Sequence, residues 1–362
     1  MTIIGQDVQM LDTPVLWVDL DLMENNIKKL SSYMREAGVG WRPHTKGIKT
    51  PAIAHKLLDA GAIGVTCAKL SEAEVMAAGG VKDILVANQV VGDTKITRLC
   101  ALRHHADVMV AVADLENASE ISKHAVKAGV EVRVLVELNI GMDRAGVEPG
   151  QPALEFASQL VALPGIHLVG LMGWEGHVVG IPDPVTKREE CERAVQSLVE
   201  TARCIRGQGI PLPIVSCGGS GSFQITAHIP GVTEIQAGGA VFGDVTYKKW
   251  GSFTDCSLFV LSTVTNRPTP TRAIIDAGHK TINSEISMPE VLDKPGARLV
   301  ALSAEHGILE LDDPKLAIKS GDRVNLIVGY GDLTVFLHNQ LVGVRKGKVE
   351  MVWDIYGRGK LT

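Results

Sequence analysis

From Thr13 to about Gly243 the sequence repeats one theme, a short apolar run followed by an amphipathic stretch with a polar opening. Residues 15–18 (Val-Leu-Trp-Val) read as a strand, and Asp21 with Glu24 as the capping box of a helix carrying Ile27, Leu30 and Met34 on one face. Residues 64–68 predict the next strand, with Ser71 and Glu74 as a second capping box. Residues 83–87 precede a helix expected from about Asp93, and further strands are expected at 108–112, 132–138, 168–172, 214–216 and 234–237. These runs are apolar on both faces, as in a parallel sheet covered by helices. About eight units in roughly 230 residues fit a closed (β/α)8 barrel better than an open sheet. No G-x-G-x-x-G opens the first unit, so dinucleotide binding gains no support.

After about Asp255 the texture changes to short β-type runs broken by Gly, Pro and Asp, ending in a hairpin turned by Lys346-Gly347. The expected organisation is a barrel over 13–254 and a C-terminal β-domain over 255–362, with residues 1–12 packing on the latter. The barrel mouth, built from the βα-loops, is the expected active site.

Composition narrows the class. Hydrophobic residues at 45% and charged residues at 21% describe a globular chain rather than a disordered one. A net charge of −5 argues against nucleic-acid and anionic-membrane partners. No apolar run reaches the ~18 residues of a membrane span, and Met1–Gln9 lacks the features of a signal peptide. The six cysteines form no C-x-x-C pair and read as reduced thiols, so the expected location is cytoplasmic.

Three segments carry candidate chemistry. In Trp41-Arg-Pro-His-Thr-Lys46-Gly, a lysine just past a barrel strand can enter the mouth as a Schiff-base nucleophile; a solvated surface lysine is the alternative. In Ser216-Cys-Gly-Gly219-Ser220-Gly221-Ser222, consecutive glycines let backbone N–H groups converge on an anion; a flexible turn is the alternative. Gln236-Ala-Gly238-Gly239, one strand later, would wall the same phosphate cup. In Gly141-Met-Asp-Arg144-Ala-Gly146, the arginine can meet an anionic oxygen of a cofactor ring.

These motifs, with Cys67-Ala-Lys-x-Ser-Glu, Asp244-x-x-Tyr247, Asp276-Ala-Gly-x-Lys280 and Glu305-His-Gly, run in an order that resembles the D-threonine aldolase and D-serine dehydratase family. These are fold-type III pyridoxal 5'-phosphate enzymes with an alanine-racemase-like barrel, and the resemblance runs nearly end to end. It implies that Lys46 forms the imine with the cofactor and that Arg144 contacts its phenolate oxygen. It also implies that Gly219, Ser220, Gly221, Gly238, Gly239 and Tyr247 hold the phosphate, and that the protein is a homodimer.

The chain departs from the family pattern in places. The family's C-terminal domain usually carries His-Cys-Asp or His-x-Asp, whose His and Asp (or Cys) bind a divalent metal that holds the substrate hydroxyl. Here the stretch is Gly329-Tyr330-Gly331-Asp332-Leu333-Thr334, so Tyr330 replaces the ligand histidine beside Asp332 and a bound metal is not expected. Where the family often has Tyr-His-Gly, this chain has Trp174-Glu175-Gly176-His177. Trp174 can stack on the cofactor, and Glu175 and His177 offer a titratable pair for acid–base work; a loop-orienting role is the alternative. The leading expectation is an aldolase-like lyase cleaving a β-hydroxy-D-amino acid to an aldehyde and glycine. A dehydratase, and a racemase or epimerase using Lys46 with Tyr330, Glu175 or His177, are the alternatives. A pyridoxal-phosphate carrier is disfavoured, since small proteins of that class lack a C-terminal domain.

Overall fold

The computed structural model describes residues 3–362. The chain forms two compact units: one of Leu30–Lys46, Pro51–Gly238 and Lys360–Thr362, the other of the chain up to Lys29, Gly47–Thr50 and Gly239–Gly359.

Strand β1 (Val15–Asp19) leads into helix α1 (Leu20–Glu36). The strand forms where residues 15–18 predict it, but it is not a barrel strand. It pairs antiparallel with residues 258–261 and parallel with residues 342–344. The capping of α1 also differs from expectation. Asp19 accepts the Leu22 N–H at 3.0 Å, whereas Asp21 and Glu24 receive the Arg345 guanidinium.

The barrel unit holds eight strands: β2 (Gly40–Trp41), β3 (Val65–Cys67), β4 (Asp83–Gln89), β5 (Asp107–Val112), β6 (Val132–Leu138), β7 (Ile166–Gly173), β8 (Ile214–Cys217) and β9 (Glu234–Ile235). They lie in the order β2-β9-β8-β7-β6-β5-β4-β3, every pair parallel. Just past β2 the Thr45 N–H donates to Thr66 O at 2.7 Å and the Thr66 N–H to Pro43 O at 2.9 Å, so the two edges join and the sheet closes. Closure leaves no edge strand to protect. Leu85, Met109, Ala111, Leu135, Val169 and Met172 form one apolar cluster, while the alternating Ile84, Val86, Val108, Val110, Val134 and Val136 are also buried. Both faces are dry, as the continuous apolar runs require.

Helices α2 (Pro51–Asp59), α3 (Leu70–Ala78), α4 (Asp93–Leu102), α5 (Leu115–Ala128), α6 (Gln151–Leu160), α7 (Pro184–Gly207) and the short α8 (Phe223–Thr226) connect the strands. Helix α3 starts one residue before Ser71, and its box is made by Glu72, whose carboxylate reaches back to the Ala68 and Lys69 N–H groups at 2.9 and 3.2 Å. Glu74, expected in that role, instead pairs bidentately with Arg98 on α4. At the N-terminal end of the strands buried Arg42 bridges Glu234 and Asp83, and Asp107 takes Arg103 and Arg133.

After helix α9 (Val245–Lys249) the second unit is β-rich: β10 (Leu258–Thr269), β11 (Arg272–Ile275), β12 (Glu290–Val291), β13 (Ala297–Leu302), β14 (Gly307–Leu311), β15 (Arg323–Ile327), β16 (Gln340–Arg345) and β17 (Lys348–Asp354). The order is β13-β14-β11-β10-β1-β16-β17, with β15 pairing both β10 and β12. Lys346 and Gly347 turn the last hairpin at φ 50° and 76°, the left-handed conformation that such a two-residue turn needs. Val8 and Leu11 pack with Trp17, Phe259, Val342, Val344 and Val349, which ties the N-terminal segment to this sheet. All six cysteines are free, and no helix among the described residues is long and apolar enough to cross a membrane.

Candidate active site

The chemistry-bearing loops of the barrel unit leave the C-terminal ends of its strands, the edge at which barrel sites are built. Lys46 follows the extension of β2, half-buried, with its N–H on His44 Nδ1 at 3.3 Å. The preceding backbone is fixed on both sides. On one, the Thr45 hydroxyl donates to Thr66 O at 2.9 Å. On the other, the His44 N–H donates to Gln236 O at 3.0 Å and Trp41 Nε1 to Ala237 O at 2.8 Å. The lysine loop and the Gln236–Gly238 loop are thus laced together. Gly238 is obligatory there, because a Cβ would overlap the His44 backbone.

The glycine loop after β8 starts beside that of β9, since Cys217 and Ile235 are register partners. Gly218 takes φ 75°, the left-handed region that favours glycine. The indole of Trp174 lies against Gly219 so closely that a Cβ on Gly219 would overlap its ring, and a Cβ on Gly176 would overlap Nε1. Among the described residues the Gly221 and Gly238 N–H groups have no protein acceptor. Two adjacent glycine-lined loops with spare N–H donors, beside a lysine held on the same edge, suit a phosphate-bearing aldehyde cofactor.

Glu175 and His177 do not form a pair. Glu175 is fully buried, its Oε1 accepting the Ser222 hydroxyl at 2.5 Å and its Oε2 the Gly218 N–H at 3.3 Å. Burial pushes this carboxyl above the usual carboxylate range. The Ser222 hydroxyl in turn accepts the Gly219 N–H at 3.0 Å, so Glu175 braces the glycine loop from behind. His177 is exposed and packs over Gly141. Arg144 is more than half exposed, with Nη2 3.8 Å from Oε1 of buried Glu137. Glu137 also accepts Gln89 Nε2 at 2.5 Å, a contact with no signal in the sequence beyond two polar residues at strand ends.

In the β-rich unit a second cluster gathers around Asp332. Its Oδ2 accepts the Tyr330 hydroxyl at 3.0 Å and the Tyr247 hydroxyl at 3.2 Å. Burial and the neighbouring carboxylates push both phenols above their ordinary value, so both stay protonated. Tyr247 covers Gly239, where a Cβ would overlap the phenol ring. Asp332 itself lies over Gly47, the residue peptide-bonded to Lys46, and again no Cβ fits. Asp244 caps α9 through the Tyr247 N–H and also accepts the Gly331 N–H, each at 2.7 Å, so one buried carboxyl holds both tyrosine-bearing segments. Burial pushes Asp244 up to about 8. Sequence reasoning quoted Asp244 and Gly47 only as parts of motifs; their roles depend on contacts far apart in the chain.

Comparison with known proteins places these features in context. Residues 18–246 match the family model of the alanine racemase N-terminal domain, and residues 257–344 the model named for the serine dehydratase domain. The chain is 35% identical to a D-threonine aldolase from Arthrobacter sp. over 98% of its own length and 95% of that protein. It is 32% identical to a 3-hydroxy-D-aspartate aldolase from Paracoccus denitrificans, covering 98% and 94%. Among solved structures, D-threonine aldolase from Filomicrobium marinum aligns with a TM-score of 0.96 at 33% identity over 99% of both chains. D-threo-3-hydroxyaspartate dehydratase from Delftia sp. HT23 aligns with a TM-score of 0.89 at 27% identity over 96% of this chain and 98% of that one. A variant of that dehydratase has been solved in a metal-free form.

Proposed function

The chain belongs to the D-threonine aldolase family of fold-type III pyridoxal-phosphate enzymes, and on that premise we propose that it cleaves a β-hydroxy-D-amino acid to an aldehyde and glycine. The observation that carries this reading is the lacing of the Lys46 loop to the Gln236–Gly238 loop, next to the glycine loop, with the Gly221 and Gly238 N–H groups left for an anion. A lyase of this family needs that combination of an imine-forming amine and a phosphate cup.

Pyridoxal phosphate, when bound, withdraws the electron pair released at Cα. Lys46 is the residue we assign to hold it covalently and to exchange with the substrate amine. Gly219, Ser220, Gly221, Gly238 and Gly239 are assigned to its phosphate, with Tyr247 as a further phosphate partner. Peptide N–H groups neutralise a dianion without adding bulk. Arg144 is assigned to the phenolate oxygen, its approach guided by Glu137. Trp174 is assigned to stack and to exclude water. Glu175 is read as the brace of the phosphate loop rather than an acid–base group, and His177, being exposed, keeps only a peripheral place in this account.

The replacement of the family's ligand histidine by Tyr330 removes one of the family's metal ligands, and in this reading no step passes through a metal. A homodimer belongs to the same proposal through family resemblance, and a cytoplasmic location through the reading of the six cysteines as reduced thiols; sedimentation of the purified protein tests the first. Incubating the cofactor-loaded protein with D-threonine, L-threonine and 3-hydroxy-D-aspartate tests the activity. Aldehyde and glycine from a D-isomer support it, keto acid and ammonia point to dehydration, and absence of every product sinks it.

A further inference from the structure

Resting on the lyase reading and its place for Arg144 at the cofactor's phenolate oxygen, we infer that Asn139 and Gln89 are positioning residues that hold Arg144 ready. Each acts through another group of the barrel unit rather than on the cofactor itself. The guanidinium is available for such a role. It is more than half exposed and makes no hydrogen bond among the described residues.

Asn139 builds the loop that carries the arginine. Its Oδ1 accepts the Gly141 and Asp143 N–H groups at 3.2 and 3.0 Å, and its Nδ2 donates to Asp143 Oδ1 and Glu148 Oε1 at 2.9 and 3.0 Å. The full hydrogen-bonding capacity of one amide is spent inside residues 139–148. The backbone closes the same loop, with the Asn139 N–H on Val147 O at 2.9 Å and the Val147 N–H on Glu137 O at 2.8 Å. Two left-handed positions flank the arginine. Asp143 sits at φ 52°, and at Gly146 (φ 112°) a Cβ would overlap the Asn139 backbone nitrogen.

Gln89 acts from the side of β4. The register of β4 on β5 slips between Val86, opposite Val110, and Gln89, opposite Ala111. Such an irregularity re-aims a side chain at a strand end, and the Gln89 amide donates to Glu137 Oε2 at 2.5 Å. Glu137 is buried, and its other oxygen, Oε1, lies 3.8 Å from Arg144 Nη2. With Oε2 engaged, the charge left on Oε1 faces the arginine and draws it to the end of β6. At that distance the two are beyond hydrogen-bond reach, so the guanidinium keeps its donors for an anionic ligand atom. An exposed arginine ordered only on binding would lose rotamer freedom each time; the loop and the carboxylate remove much of that cost.

The test uses the full-length protein and two readouts that need no turnover. In the cofactor-free protein, NMR-detected hydrogen–deuterium exchange at the Gly141, Asp143 and Val147 amides is expected to be at least about tenfold faster in Asn139→Ala than in wild type, and unchanged in Gln89→Met. In the protein loaded with pyridoxal phosphate, the ratio of the visible to the near-ultraviolet band reports how far the ring oxygen is held as an anion. That ratio is expected to fall roughly tenfold in Arg144→Ala, and by at least about threefold in Asn139→Ala and in Gln89→Met, as for a weakened hydrogen bond to a charged group. The triple exchange of Asn139→Asp, Asp143→Asn and Glu148→Gln reverses donors and acceptors around the same two backbone N–H groups, and is expected to restore both readouts. A ratio unaltered in either single variant, loop amides of Asn139→Ala that exchange no faster, or a triple exchange that restores neither readout would overturn the inference. A ratio unaltered in Arg144→Ala would sink the assignment beneath it, and the inference with it. Both readouts stand whether or not a β-hydroxy amino acid is cleaved, so failure of the lyase reading is told apart from failure of this one.

Discussion

The Ser222 hydroxyl donates to Glu175 Oε1 at 2.5 Å, in a place where both side chains are out of solvent. This bond, with the Gly218 N–H on Oε2, fixes the shape of the loop assigned to the phosphate. Glutamine at 175 has one acceptor for two donors and would turn an amide N–H toward one of them. Glu175→Gln is therefore expected to weaken pyridoxal-phosphate binding by about tenfold, the equivalent of one lost buried hydrogen bond. At saturating cofactor kcat should change by less than about threefold. A collapse of kcat at full occupancy would instead make Glu175 a catalytic acid or base.

The glycines of the two loops differ in what a methyl group would meet. At Gly238 it would strike the His44 backbone, which is held by Thr66-side and Gln236-side hydrogen bonds and has nowhere to go. At Gly219 it would strike the Trp174 indole, which is half-buried and able to tilt away. Gly238→Ala is expected to cost about 2–3 kcal/mol of stability by overpacking, measured by urea denaturation. Gly219→Ala should cost under about 1 kcal/mol but shift Trp174 fluorescence and raise the cofactor Kd.

At the other end of the barrel, Arg42 and Glu234 form a buried ion pair at 3.0 Å. Arg42→Met leaves Glu234 charged and unpaired out of water, with an expected loss of about 3–5 kcal/mol. Adding Glu234→Leu should recover part of it. Equal destabilisation by the single and double variants would show that the pair contributes through packing alone.

His338 gives the fold a dependence on acid. It is half-buried, and desolvation with nearby Arg358 holds its pKa below the ordinary histidine value, while its ring donates to Thr281 O. A base with a lowered folded pKa contributes stability that is present above its unfolded value, about 6.5, and is lost as pH falls through the folded value. Urea midpoints should thus fall between pH 7 and pH 5 more steeply for wild type than for His338→Gln, whose amide can keep the bond to Thr281. Parallel slopes would remove His338 from the account.

The barrel was legible because its signal is local: the run 108–112 is apolar at every position and 132–138 at five of seven, and both formed as strands. Strand β1 shows the limit of that signal. Residues 15–18 have the same apolar texture as a barrel strand, and only long-range pairing with Leu258–Leu261 and Val342–Val344 assigns them to the other sheet. Capping was misread for a similar reason. Asp21 and Glu24 have the right spacing, yet Asp19 already ends the strand with a side chain in reach of Leu22, which frees the later pair for Arg345. The motif residues Lys46, Gly219 and Gly238 could be picked out because each demands a residue type. The contacts behind the glycine loop and beside Arg144, Ser222 on Glu175 and Gln89 on Glu137, join residues 47 and 48 positions apart, a separation that no sequence pattern marks.

The central claim is carbon–carbon cleavage of a β-hydroxy-D-amino acid, and proton NMR of D-threonine incubated with the cofactor-loaded protein in D₂O tests it most directly. The account predicts acetaldehyde and glycine carrying deuterium at Cα, both absent with Lys46→Ala. Deuterium at Cα of intact threonine with inverted configuration, and no acetaldehyde, would contradict it.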